Sequence, residues 1–104
     1  MQDKFLMALG LAKRAGHVAL GTEQVRDSAK CGKAKLIIIA SDVSENTKKE
    51  IIDTAIFYKT EYITPCYTMA QLSVAVGVLR SVSSVSVTDG NMTVLVKNSI
   101  NTKM

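Results

Sequence analysis

The chain is poor in the residues that build metal centres. It has one histidine, His17, and two cysteines, Cys31 and Cys66, with no C-x-x-C pair between them. Zinc needs three or four such ligands at close spacing, so this pattern argues against a metal site. No apolar run approaches the 18 or so residues of a membrane span, and no basic, apolar and small-residue leader opens the chain. The expectation is therefore a cytoplasmic protein with no membrane partner, in which the two thiols are structural and a disulfide between them is disfavoured.

Nucleotide-binding and catalytic signatures are missing as well. There is no G-x-x-x-x-G-K-[ST] phosphate loop, no G-x-G-x-x-G fingerprint and no nucleophile elbow. Glu45, Glu50 and Asp53 read as helix-surface carboxylates, and no spacing selects two of them for acid–base work. His17 has no Ser, Cys or carboxylate cluster to work with and reads as a surface or packing residue. An enzyme acting on a small phosphorylated ligand would have only a basic patch behind it, so neither catalysis nor a cofactor is expected.

What is present is an ordinary globular composition, with 47% hydrophobic and 21% charged residues in 104. That suffices for one domain, residues 1–104, with its own core. The net charge is +4, and its position is more informative than its size. Residues 10–35 hold Lys13, Arg14, Arg26, Lys30, Lys33 and Lys35 against Glu23 and Asp27, and the seven basic and seven acidic residues elsewhere cancel. Such a footprint attracts phosphates, although a solvated basic surface has the same composition.

Hydrophobic spacing then divides the chain. Phe5, Ala8, Leu9 and Ala12 fall at i, i+3, i+4 and i+7, which predicts a helix over 2–15 closed by Lys13, Arg14 and Gly16. Residues 17–20 form a short strand. Gly21 and Thr22 offer a turn and an N-cap for a helix whose inner face is Val25 and Ala29 and which Gly32 stops. Residues 36–40, L-I-I-I-A, are apolar at successive positions, as in a central strand covered on both faces.

Ser44 or Asp42 caps the next helix, with Ile51, Ile52, Ala55 and Ile56 as its buried face. A strand over 62–67 carries Pro65, which places it near a sheet edge. Thr68 and Gln71 form a T-x-x-Q capping box for a helix with Met69, Leu72 and Val76 inside and Gly77 at its end. Residues 82–87 form a strand with Val85 and Val87 on one face. Beyond it the pattern is ambiguous: Asp89-Gly90 before Thr93-Val94-Leu95-Val96 favours a β-hairpin, and a helix from about Asn91 is also permitted. Alternating strands and helices with short loops indicate an α/β domain, a three-layer α-β-α sandwich.

Four segments carry a family resemblance. L-G-L-A-K-R-A-G at 9–16, G-T-E-Q-V at 21–25, G-K-A-K-L-I-I-I-A-S-D at 32–42 and A-V-G-V-L-R-S-V-S-S-V-S-V at 75–87 resemble the L7Ae/L30e ribosomal-protein family, closest to its small bacterial, YlxQ-like members. The resemblance implies a four-stranded mixed β-sheet within the sandwich and a terminal helix after Asp89, and on this point it overrides the local hairpin signal. It also implies a non-catalytic, monomeric protein that binds kink-turn or related structured RNA, with ribosomal RNA among the candidates.

Carried over residue by residue, the family's first recognition loop falls on Gly21, Thr22, Glu23, Gln24, Arg26, Asp27 and Lys30. Ser41 and Asp42 close the G-K-A-K-L block, and Val78, Leu79 and Arg80 match the second loop, where apolar side chains cover splayed bases and the Arg reaches backbone or stacks. Two positions depart from the pattern. Glu23 stands in place of Asn or Lys, and Asp27 in place of Lys. A carboxylate facing phosphate is repulsive; Arg26 and Lys30 flank Asp27 on the helix as the cations that would offset it, with Arg26 turned about 100° away by the helical period. A diverged protein-interaction module with weak or no kink-turn binding is the alternative these two anions favour.

Overall fold

The apolar run that opens β2 (Leu36–Ile39) dictates the architecture, because four consecutive residues without polar side chains need cover on both faces. All four are fully buried. In the computed structural model, which describes residues 4–103 and the side chains of 4–99, β2 runs between antiparallel β4 (Ser84–Val87) and parallel β3 (Glu61–Ile63). β1 (Val18–Leu20) closes the other side of β4, giving the order β1-β4-β2-β3 in one mixed four-stranded sheet.

The pleat sorts side chains into two cores. Leu36 and Ile38 share a face with Val85 and Val87, covered by α1 (Lys4–Arg14), α4 (Met69–Val76) and α5 (Gly90–Lys103). Ile37 and Ile39 point the other way, towards α2 (Gly21–Lys30) and α3 (Glu45–Phe57), and pack with Val25, Ala29, Ile51 and Ala55. The expected three-layer α-β-α sandwich is therefore present. Opposite Ile37 and Ile39, β4 places Ser86 and Ser84 on the α2 side. Ser86 shares a 2.8 Å hydrogen bond with Ser28 of α2, whereas the buried Ser84 hydroxyl has no partner among the described residues.

Helix ends follow the capping chemistry of the sequence. Ser44 accepts from the Thr47 N–H at 3.2 Å and caps α3. Asp42 takes another task, accepting from the Met69 N–H at 2.8 Å and so tying the exit of β2 to the start of α4. The Thr68–Gln71 capping box is complete, and Gly77 ends α4 with φ +72°. Phe5 of α1 stacks on Tyr67 at 4.7 Å between ring centroids, which anchors the segment that leaves β3.

Several boundaries shift. The first helix spans Lys4–Arg14 rather than 2–15, residues 2 and 3 lying outside the described ones. β3 ends at Ile63, and the chain beyond it is held by the Ser41 N–H donating to the Tyr67 carbonyl at 2.8 Å. Ile56, expected inside, is 63% exposed, because α3 turns Ile51 and Ala55 to the sheet and leaves the next position to solvent. The 89–96 stretch is helical, not a hairpin. Both edges of β4 are occupied, by β1 and β2, so a strand following it would have no ladder to join. Helix α5 is opened by Asp89, whose Oδ2 accepts from the Met92 N–H at 3.0 Å, rather than by Asn91, and it buries Thr93 and Val96.

Gly10 marks the closest approach of α1 to α4, since a Cβ there would lie 2.9 Å from the Ala75 carbonyl oxygen. Helix propensity alone favours Gly10→Ala by roughly 0.5–1 kcal/mol. The clash with backbone reverses the sign: Gly10→Ala is expected to cost about 1–3 kcal/mol in urea denaturation. In the second core, Ser84→Ala is expected to be neutral or to stabilise by about 1 kcal/mol, because it removes a buried hydroxyl without a partner, whereas Ser86→Ala costs about 1 kcal/mol.

Candidate nucleic-acid interface

The candidate residues are gathered by sheet topology, not by sequence proximity. Leu20 pairs with Val85 at the end of β1 and Ile39 with Ser84 at the end of β2, so the start of α2, the exit of β2 and the loop before β4 share one edge of the sheet. The Ala40 N–H donates to the Ser83 carbonyl at 2.9 Å and locks the last two together.

The loop between α4 and β4 is pinned at its base. Ser73 accepts from the Val78 N–H through its carbonyl at 3.1 Å and from the Val82 N–H through its hydroxyl at 3.0 Å. With both shoulders held by one residue, the tip is pushed outward. Val78 packs partly against the first core, Arg80 is exposed, and Leu79 is fully exposed at 108%. An apolar side chain held wholly in solvent on a fixed loop is unfavourable for the isolated fold and available to a partner.

Helix α2 begins at Gly21 itself, with φ +86°, a conformation that disfavours any side chain. The expected Thr22 cap does not form; Leu20 occupies the N-cap position and no side chain caps the helix from there. Gln24 instead reaches back so that its Oε1 accepts from the Leu20 N–H at 3.1 Å. The Thr22 hydroxyl crosses to the other loop and shares a 2.9 Å hydrogen bond with Ser83. Arg80 completes the junction, its Nη1 lying 3.6 Å from where a Gly21 Cβ would be. A guanidinium and the positive end of a helix thus lie side by side, a pairing that favours an anion between them.

Gly21, Thr22, Val78, Leu79 and Arg80 are brought together, with Ser41 and Asp42 exposed beside them at the exit of β2 and Glu23 and Gln24 exposed on the first turn of α2. The remaining candidates are not part of this group. Arg26 is ion-paired with Glu50 of α3 and is therefore not free to offset Asp27. Asp27 is exposed on the second turn, and Lys30, the last residue of α2, stands about 13 Å from Gly21 at 1.5 Å per residue. Ser73 and Ser83, which hold the loops, were missed because a serine in L-S-V or V-S-S-V carries no local sign of a long-range bond.

Leu79 and Arg80 project from this interface. A groove of about 1000 Å³ lies elsewhere, between α1 and α4, lined by Met7, Leu11 and Val74 with Lys13 and Arg14 at its rim, and none of the candidate residues enters it. Among the described residues no three His, Cys, Asp or Glu side chains converge as metal ligands, and no helix is long and apolar enough to cross a membrane. Cys31 and Cys66 are exposed, unbridged thiols. If the Thr22–Ser83 bond couples the two loops, Thr22→Val should cost about 1 kcal/mol of stability and speed amide exchange over 78–83, measurable by hydrogen–deuterium exchange.

Known proteins share this fold. A protein of unknown function from Bacillus halodurans superposes with a TM-score of 0.88 at 28% identity, covering 96% of this chain and 99% of its own. A 15.5 kD RNA-binding protein of Giardia lamblia shares the fold at TM-score 0.75 and 16% identity, over 95% of this chain and 83% of that one. In sequence, the RNA-binding protein YlxQ of Enterococcus faecium is 33% identical over 84 residues, 78% of each chain. The profile of one family covers residues 3–96, nearly the whole chain: the protein belongs to the ribosomal protein L7Ae/L30e/S12e/Gadd45 family.

Proposed function

We propose that the protein is a non-catalytic RNA-binding module, a single cytoplasmic domain acting as a monomer, that recognises kink-turn or related structured RNA, ribosomal RNA included. The observation that carries this reading is the junction of Arg80 with Gly21 beside the fully exposed Leu79. A kinked RNA offers a sharply bent phosphate backbone and unstacked bases at one place. The guanidinium and the first turn of α2 suit the former, and Leu79 suits the latter. The name of the Enterococcus relative, RNA-binding protein YlxQ, and membership of a ribosomal-protein family support the same class of ligand.

Charge tempers affinity at this edge. Glu23 and Asp27 are both exposed, and the Arg26–Glu50 ion pair withholds the cation nearest to them in sequence. That pair favours one second reading, a protein-interaction module whose RNA contact is weakened. The two are separated by gel shift of a kink-turn duplex against a plain duplex. Preference for the kink turn, with Arg80→Ala losing about tenfold or more of it, supports the first reading, since hydrogen bonds to charged groups are worth about 1.5–3 kcal/mol. Equal weak binding to both RNAs, converted to a kink-turn preference only by Glu23→Asn with Asp27→Lys, supports the second.

A further inference from the structure

The cations that give the chain its net charge lie mainly at the other edge of the sheet. Val18, Val87, Leu36 and Glu61 are aligned by the strand registers, so the connections entering β1, β2 and β3 meet there, opposite Gly21 and Ser83. The last turns of α1 and α2 and the connection from α2 to β2 bring Lys13, Arg14, Lys30, Lys33 and Lys35 there. They are fixed by backbone bonds: the Lys35 N–H donates to the Val87 carbonyl at 2.8 Å, Lys33 to Ser28 at 2.9 Å, and Thr88 to His17 at 2.8 Å.

Nearby anions are engaged or set back. Asp89 caps α5, Glu61 is bridged to Lys97 at 2.8 Å, and Asp27 lies one turn inside α2. Among the described residues none of the five cations is in an ion pair. The candidate interface has the reverse balance, with Arg80 beside Glu23 and Asp42. The +4 of residues 10–35 is thus not one patch: folding sends its anion Glu23 to one edge and most of its cations to the other.

Like charges concentrated on one edge repel one another in the free protein, and a polyanion laid across them relieves that repulsion while releasing counterions. Strands spaced by about 4.8 Å put the starts of β1 and β2 roughly 10 Å apart, and a nucleic-acid double helix presents one charge per about 1.7 Å of axis. Several phosphates of one flank therefore fit the array. On the way into β1 and β2 the residues beside these cations, Ala15, Gly16, Cys31 and Gly32, are small, and the exposed Phe57 at the end of α3, edge-on to Tyr58, is an aromatic group at the connection into β3.

We propose that this edge is a second nucleic-acid contact, which takes the phosphate backbone of a double-helical RNA segment without reading its sequence. It rests on the RNA reading above only for the nature of the ligand, not for kink specificity. Because the two contacts lie at opposite ends of the sheet in a molecule 36 Å in its longest extent, the protein would bridge two RNA segments.

The test is fluorescence anisotropy of a labelled plain RNA duplex across a salt series, with wild type, the exposed pair Lys33→Gln with Lys35→Gln, and Lys49→Gln on the outer side of α3 as control. The double variant should bind the plain duplex about tenfold more weakly and lower the slope of log affinity against log salt by about two, with Lys49→Gln close to wild type. An unchanged affinity and slope in the double variant, an equal loss with Lys49→Gln, or tighter binding to phosphatidylserine vesicles than to duplex would overturn the proposal. Adding a kink-turn RNA separates the two readings: plain-duplex binding that depends on Lys33 and Lys35, with no preference for the kink turn, leaves this edge in place and removes the kink-turn reading.

Discussion

Everything in this molecule depends on the need to bury both faces of Leu36, Ile37, Ile38 and Ile39. Each apolar side chain taken from water contributes about 1.5–3 kcal/mol, and a strand apolar on both sides obtains that only as the middle layer of three. Helices α1, α4 and α5 answer one face and α2 and α3 the other. With β2 central, its exit at Ala40 and the start of β4 must coincide, and the beginning of α2 joins them through β1. The candidate edge is a consequence of where the core had to be.

Hydroxyl groups make that edge specific. Ser73 holds both shoulders of the 78–82 loop, Ser83 meets Thr22, and Ser28 meets Ser86 beneath α2. Each bond is worth only about 1 kcal/mol. Their effect is positional: they leave Leu79 and Arg80 projecting on a loop that costs little further entropy to order on binding. The chain belongs to the L7Ae/L30e/S12e/Gadd45 family, and in the function proposed above Glu23, Asp27 and Arg80 set how this frame meets RNA.

Much of this was legible in the residues. The L-I-I-I run, the Thr68–Gln71 box and the glycine after α4 each have a local physical cause and formed as expected. Over 89–96 the local signal, Asp-Gly before Thr-Val-Leu-Val, points to a hairpin, and the terminal helix that the family resemblance implies is what forms, because β4 has no open edge. Ile56 and Arg26 failed for a related reason: a helix period shows which residues share a face, not what that face meets. The candidate site was read through motifs, and the fold brings its two loops together through Thr22 and Ser83, while Gln24 turns to its own backbone and Lys30 falls beyond reach. The division of positive charge between two edges could not be read from a linear count, since it arises only when β1 and β2 are aligned.

The central claim is that RNA is received where α2 begins and the 78–83 loop projects. Backbone amide chemical-shift mapping on titration with a kink-turn RNA tests it most directly. The largest changes are predicted at Gly21, Thr22, Glu23 and Gln24 and across 78–83, with smaller ones at Ser41 and Asp42. Changes confined to the α1–α4 groove or to the outer side of α3, with residues 21–24 and 78–83 unmoved, would contradict it.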